Sequence, residues 1–134
     1  MRLIFPYALL VVFGCVGSVS AQRQIAPDAF LDRAIGRTLT FNDYASGAPI
    51  GTEQFLRRDL SVWAQSDGRC SYGNIKIRGP LLCFVYENFP NPENCWMPFQ
   101  LESELLVMSA ESRQIQRVTQ ITKDPVVCEG VPLS

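Results

Sequence analysis

Cys70-Ser71-Tyr72-Gly73-Asn74-Ile75-Lys76-Ile77-Arg78, then Gly79-Pro80, then Leu81-Leu82-Cys83-Phe84-Val85-Tyr86-Glu87 is the stretch whose reading decides the fold. It gives two strand-like runs divided by a Gly-Pro pair that turns the chain. Phe84 and Tyr86, two apart on the second run, share one face. Upstream, Asp67-Gly68 signals a tight turn before Cys70. Leu60–Gln65 and residues 52–57 are two more runs, separated by Arg58-Asp59. Residues 37–42 alternate polar and apolar through Leu39 and Phe41. Downstream, residues 88–92 (Asn88-Phe89-Pro90-Asn91-Pro92) read as a longer turn, because two prolines do not sit in a central ladder. Residues 95–101, 104–109 and 114–122 supply the remaining runs.

Strand-like runs thus recur about every 8–12 residues, the pattern of an all-β barrel or sandwich. No long helical connection is available for parallel crossovers, so neighbours pair antiparallel in a single meander. The expected fold is a small up-and-down β-barrel, lipocalin-like in general form, with a β-sandwich as the alternative. The barrel is favoured because nearly all turns are short and closure removes exposed edges. One short helix is expected over residues 28–35, opened by Pro27-Asp28 and ended by Gly36. It would cap one end of the barrel through Phe30 and Ile35.

The chain of 134 residues opens on a secretory-signal pattern: one charge at Arg2, an apolar run from Leu3 to Phe13, then Val19-Ser20-Ala21. Cleavage is expected after Ala21, making residues 1–21 a signal peptide and 22–134 a single disulfide-stapled β domain. The uncharged leader is about long enough to cross a bilayer. Pro6, Gly14 and Gly17 weaken it as a helix, and no membrane span is expected after cleavage. A rival reading takes Val12-Phe13-Gly14-Cys15 as a lipoprotein box with Cys15 lipidated. The mature part carries 11 basic and 13 acidic residues. That balance, with no cluster of Lys and Arg, argues against nucleic-acid binding. The expected location is periplasmic or secreted.

Export places Cys70, Cys83, Cys95 and Cys128 where disulfides persist. Four cysteines allow three pairings. Cys83 and Cys95 flank Phe89 symmetrically, so a hairpin centred there would bring them face to face. That leaves Cys70 with Cys128, pinning the C-terminal segment to the middle of the sheet. No two cysteines are spaced for a metal or redox motif, and the chain has no histidine. No metal and no cofactor are expected.

The missing histidine also excludes Ser-His-Asp and Cys-His arrangements. Carboxylates remain. Glu102 and Glu104, two apart, can point the same way as a glycosidase pair does, but also read as solvated turn residues. Glu53 shares a face with Phe55. If that face is inward, its carboxylate needs a partner, Arg37 or Arg78, and a structural ion pair is favoured over a site. Trp63, Phe84, Tyr86 and Trp96 lie on adjacent runs. They either fill the core of a small barrel or line a ligand cavity in its mouth. Residues 88–94, proline-stiffened with Phe89 at the tip, are the best candidate for a recognition loop. The binding candidates are therefore Phe89, Asn91, Tyr72, Tyr86 and Trp96.

The pattern Gly51-Thr52-Glu53-Gln54-Phe55, Trp63, Asp67-Gly68-Arg69-Cys70-Ser71-Tyr72-Gly73, Leu82-Cys83-Phe84-Val85-Tyr86, Cys95-Trp96 and Pro125-Val126-Val127-Cys128 resembles a group of small exported bacterial proteins of uncharacterised function. The resemblance spans residues 36–130, and its most specific part is Cys-Phe-x-Tyr followed by Cys-Trp. Ile75 stands where members often have tryptophan, an exchange that fits packing better than chemistry. The resemblance implies export and disulfides, and it brings no site residues with it. The function expected is a non-catalytic binding or structural domain whose partner is an unknown protein or a small apolar ligand. A second reading is an inhibitor of an envelope-active hydrolase, similar only in general form to small β-barrel lysozyme inhibitors. A histidine-free carboxylate enzyme is the third.

Overall fold

The computed structural model describes residues 22–129 and 131–132, together with positions 12, 14, 15 and 17. The expected signal peptide and its cleavage site at Ala21 otherwise lie outside the described residues. A two-residue strand β1 (Arg23–Gln24) and helix α1 (Pro27–Ala34) lead into eight strands. These are β2 (Thr38–Asp43), β3 (Pro49–Arg57), β4 (Leu60–Gln65), β5 (Cys70–Arg78), β6 (Leu81–Tyr86), β7 (Phe89–Leu101), β8 (Glu104–Ser109) and β9 (Ile115–Thr122). A short hairpin of β10 (Val127–Cys128) and β11 (Val131–Pro132) follows. Each of the eight strands pairs antiparallel with the next, and β9 pairs back onto β2. The sheet is a closed eight-stranded antiparallel barrel, as expected, and not a sandwich.

Hairpin connections alternate between two ends. At one end lie the β3–β4 turn at Arg58-Asp59 and the β5–β6 turn at Gly79-Pro80. Helix α1 closes this end. Pro27 starts it, where a missing N–H is harmless, and Phe30, Leu31 and Ala34 are buried on its inner face. The Phe30 ring meets Phe55 edge-on at 5.9 Å, and Ile35 packs against the same cluster. Burying one such aromatic contributes roughly 2–3 kcal/mol before entropy. From the β3–β4 turn, the Arg58 guanidinium bridges Asp28 at 2.9 Å and Asp32 at 2.8 Å. These pairs are exposed, so they orient the helix more than they stabilise it.

The opposite end carries the loops before β3 and β9 and the tight turns at Asp67-Gly68 and Glu87-Asn88. Gly68 has a φ of 88°, a conformation that residues with a Cβ avoid. The carboxylate of Asp67 braces that turn by accepting from the Arg69 backbone N–H at 3.0 Å.

Strand β4 is buried on both faces. Ser61 and Trp63 point inward, while Val62 and Ala64 lie under Val126 of the C-terminal segment. The Cys70–Cys128 disulfide holds that segment down, and Cys83–Cys95 joins directly opposed residues of β6 and β7. Both pairings are those expected.

The chain departs from expectation at residues 88–94. The hairpin turn is only Glu87-Asn88, since Tyr86 already pairs with Phe89. The chain then leaves the ladder through Pro90-Asn91-Pro92-Glu93 and regains register at Asn94 opposite Phe84. No long recognition loop forms; its residues are the first half of β7. The prolines are tolerated because this half has no β8 residues beside it, β8 pairing only from Trp96 onward. Among the described residues no helix is long and apolar enough to cross a membrane.

Candidate functional site

Inside the barrel is a cavity of about 150 Å3. Phe30, Phe55 and Leu82 line it toward the helix-capped end, while Phe41, Trp63 and Phe89 line it toward the other. Phe84 and Tyr86 are stacked on one wall, ring centroids 5.9 Å apart and nearly parallel, and Phe89 lies 4.9 Å from Tyr86. Trp63, Trp96, Asn94 and Phe89 keep partial solvent exposure, whereas Phe55 and Leu82 are buried. The cavity therefore meets solvent away from the helix.

Two glycines make room for its rings. A Cβ on Gly51 would lie 2.6 Å from the Trp63 indole and from the backbone oxygen of Ala64. A Cβ on Gly73 would lie 2.8 Å from the Tyr86 ring. These are close approaches that no other residue permits without displacement.

The polar element of the wall is Glu53, 3% exposed. Strand register places it between Leu39 of β2 and Trp63 of β4. The Tyr86 hydroxyl donates to its Oε2 at 2.8 Å. Oε1 of Glu53 and Oγ of Ser61 are buried and make no well-formed hydrogen bond, although the Ser61 hydroxyl is near enough to the carboxyl to favour its ionised form. Burial pushes the Glu53 carboxyl from its ordinary 4.5 up to about 7, with the Ser61 and Tyr86 hydroxyls opposing the rise. Burial first, and the Glu53 charge second, hold the Tyr86 phenol well above its usual range.

The inward orientation of Glu53 follows from its sharing a face with Phe55, but the expected ion pair is absent. Arg37 donates to the backbone oxygen of Arg33, and Arg78 pairs with Glu93 on the surface at 2.8 Å. Both guanidiniums are exposed and engaged elsewhere, so a neutral phenol serves where a cation was expected.

Of the binding candidates, Tyr86, Trp96 and Phe89 come together on the cavity. Asn91 is exposed on the excursion of β7, and Tyr72 is 41% exposed on the outer face of β5. Phe30, Phe41 and Gln116 also line the cavity, and sequence reasoning passed over them as site residues. Phe41 was legible through its alternation; Gln116 had no signal. Glu102 stands at the β7–β8 turn with a φ of 55°, and Glu104 pairs with Arg117 at 3.0 Å. They form no inward carboxylate pair. One group of potential metal ligands occurs among the described residues, Cys83, Glu93 and Cys95, but its two sulfurs are joined in a disulfide.

No protein-family model, no curated protein and no solved structure matches this chain.

Proposed function

We propose that this protein is an exported, non-catalytic binding domain, periplasmic or secreted, that holds a small, largely apolar ligand inside its barrel. The observation that carries the reading is the aromatic-walled cavity of about 150 Å3 around Glu53. In another protein, an engineered apolar cavity of similar size stays dry and takes up benzene. The ligand is accordingly of the order of one ring or a compact aliphatic body. Two disulfides are compatible with an oxidising compartment, and the leader pattern supports export.

The non-catalytic reading is supported by the chain's lack of histidine and by a single carboxylate on the cavity wall. General acid–base work ordinarily needs a second positioned group that titrates near the working pH. The hydrolase-inhibitor reading has less support, because the expected projecting loop is a two-residue turn and Phe89 lies against Tyr86.

The test is native mass spectrometry of the protein from an envelope fraction, with tryptophan fluorescence titrations against small aromatic and aliphatic compounds. Both tryptophans of the chain line the cavity and report directly on its contents. A small adduct, or saturable quenching, is the expected result. A bare mass together with unchanged emission for every compound would overturn the proposal.

A further inference from the structure

Eight of the residues on the cavity wall are aromatic, one is a carboxylic acid and none is lysine, arginine or histidine. Glu53 therefore lacks a counter-charge. The Tyr86 hydroxyl gives it one hydrogen bond and the Ser61 hydroxyl lies near, whereas a carboxylate accepts about four. A lone anion in such surroundings is strongly disfavoured until a cation joins it. Aromatic walls add to the same preference, since a ring face carries negative charge density and attracts cations.

We propose that the occupant is a small organic cation, a protonated amine on an apolar body, whose N–H donates to the Glu53 carboxylate while Trp63 and Tyr86 flank the charge. The inference rests on the reading of the barrel as a ligand carrier and deepens it. Trp63 is the cross-strand neighbour of Glu53, and Tyr86 touches its carboxylate, so the charge and the rings meet in one place. The apolar remainder of the ligand points toward Phe30, Phe55 and Leu82 at the capped end.

Binding is then linked to pH. The groups presented to Glu53 are Leu39 and Phe41 from β2, Ser61 and Trp63 from β4, and Tyr86 from β6. Farther around the wall are Asn94 and Trp96 from β7, Val107 from β8, Gln116 from β9 and Phe30 from α1. Tyr86 is the sole other titratable group among them, and it stays protonated near neutrality. A primary amine stays protonated there as well. The amine selects the ionised carboxylate, which forms as pH rises through about 7.

The experiment titrates benzylamine, benzyl alcohol and toluene into the purified protein and into Glu53→Gln at pH 6 and pH 8. The expected result is that benzylamine binds roughly tenfold more tightly at pH 8 than at pH 6, the ratio of ionised fractions around a pKa near 7. The two neutral compounds should bind more weakly and without that gain. In Glu53→Gln, benzylamine should lose both its advantage over toluene and its pH dependence. Equal affinity for benzylamine and toluene at pH 8 would overturn the amine assignment and leave the cavity reading standing. A pH gain that persists in Glu53→Gln would overturn the assignment in the same way. If none of the three compounds binds, the carrier reading itself fails. Should Glu53→Gln not fold, the comparison of the three compounds on the unaltered protein decides the matter.

Discussion

Glu53 is a carboxyl group that folding makes harder to ionise. Unfolded, it loses its proton near the ordinary 4.5; folded, it keeps that proton up to about 7. Between those values the native state binds more protons than the unfolded chain, so stability falls as pH rises. The contribution is undiminished below about pH 4.5 and has been lost once pH passes 7, a change on the order of 3 kcal/mol. Glu53→Gln keeps the shape and the acceptor for Tyr86 but cannot ionise. We expect its urea midpoint to match that of the unaltered protein at pH 4.5 and to exceed it clearly at pH 8. An identical difference at both values would refute the assignment. The position of Glu53 was legible in the sequence, since alternation set it on the face of Phe55. Its partner was not, because the residue pairing with it comes from β6, 33 positions away, and only closure of the sheet decides which side chains meet inside.

At the scale of elements, small residues set where large ones sit. Gly51→Ala would drive a methyl group into the Trp63 ring and the carbonyl of Ala64. Overpacking of this kind typically costs about 1–3 kcal/mol, and we expect that loss in a denaturant titration, together with a shift in tryptophan emission. The Cys70–Cys128 bridge spans 58 residues. Its removal by paired Cys70→Ser and Cys128→Ser should lower stability by about 2–4 kcal/mol. The β-rich far-ultraviolet dichroism should persist, since the bridge fastens a segment lying on the outside of the closed ladder. Strands β4, β5 and β8 coincide with the runs read from alternation and turn residues. β7 does not, because Pro90 and Pro92 are a sound reason to end a strand wherever both neighbours are present. Here one neighbour is missing along that half, and this follows from the differing lengths of β7 and β8, which no local pattern encodes. Tyr72 lies apart from the barrel cavity, on the outer face of β5. Its alternation with the inward Ser71 and Gly73 of β5 was visible, but an exposed aromatic on the outer face looks the same in sequence as one at a mouth.

For the molecule as a whole, regular spacing of short strands led directly to the barrel, because a meander with tight turns has few other ways to remove its edges. The cavity was harder to anticipate. Aromatic side chains can fill a small barrel completely, and whether eight rings leave a void depends on tilts and on the space ceded by Gly51 and Gly73. That void has a mechanical consequence. Where its apolar walls exclude water, unfolding abolishes it, so the unfolded chain in water occupies less volume than the native protein does. A void of about 150 Å3 per molecule corresponds to about 90 mL/mol at most, and unfolding volumes scale with the void eliminated. Hydrostatic pressure should therefore unfold the empty barrel readily, followed by the emission of Trp63 and Trp96, and an occupant that fills the space should raise the midpoint pressure. The protein would then resist compression only when loaded.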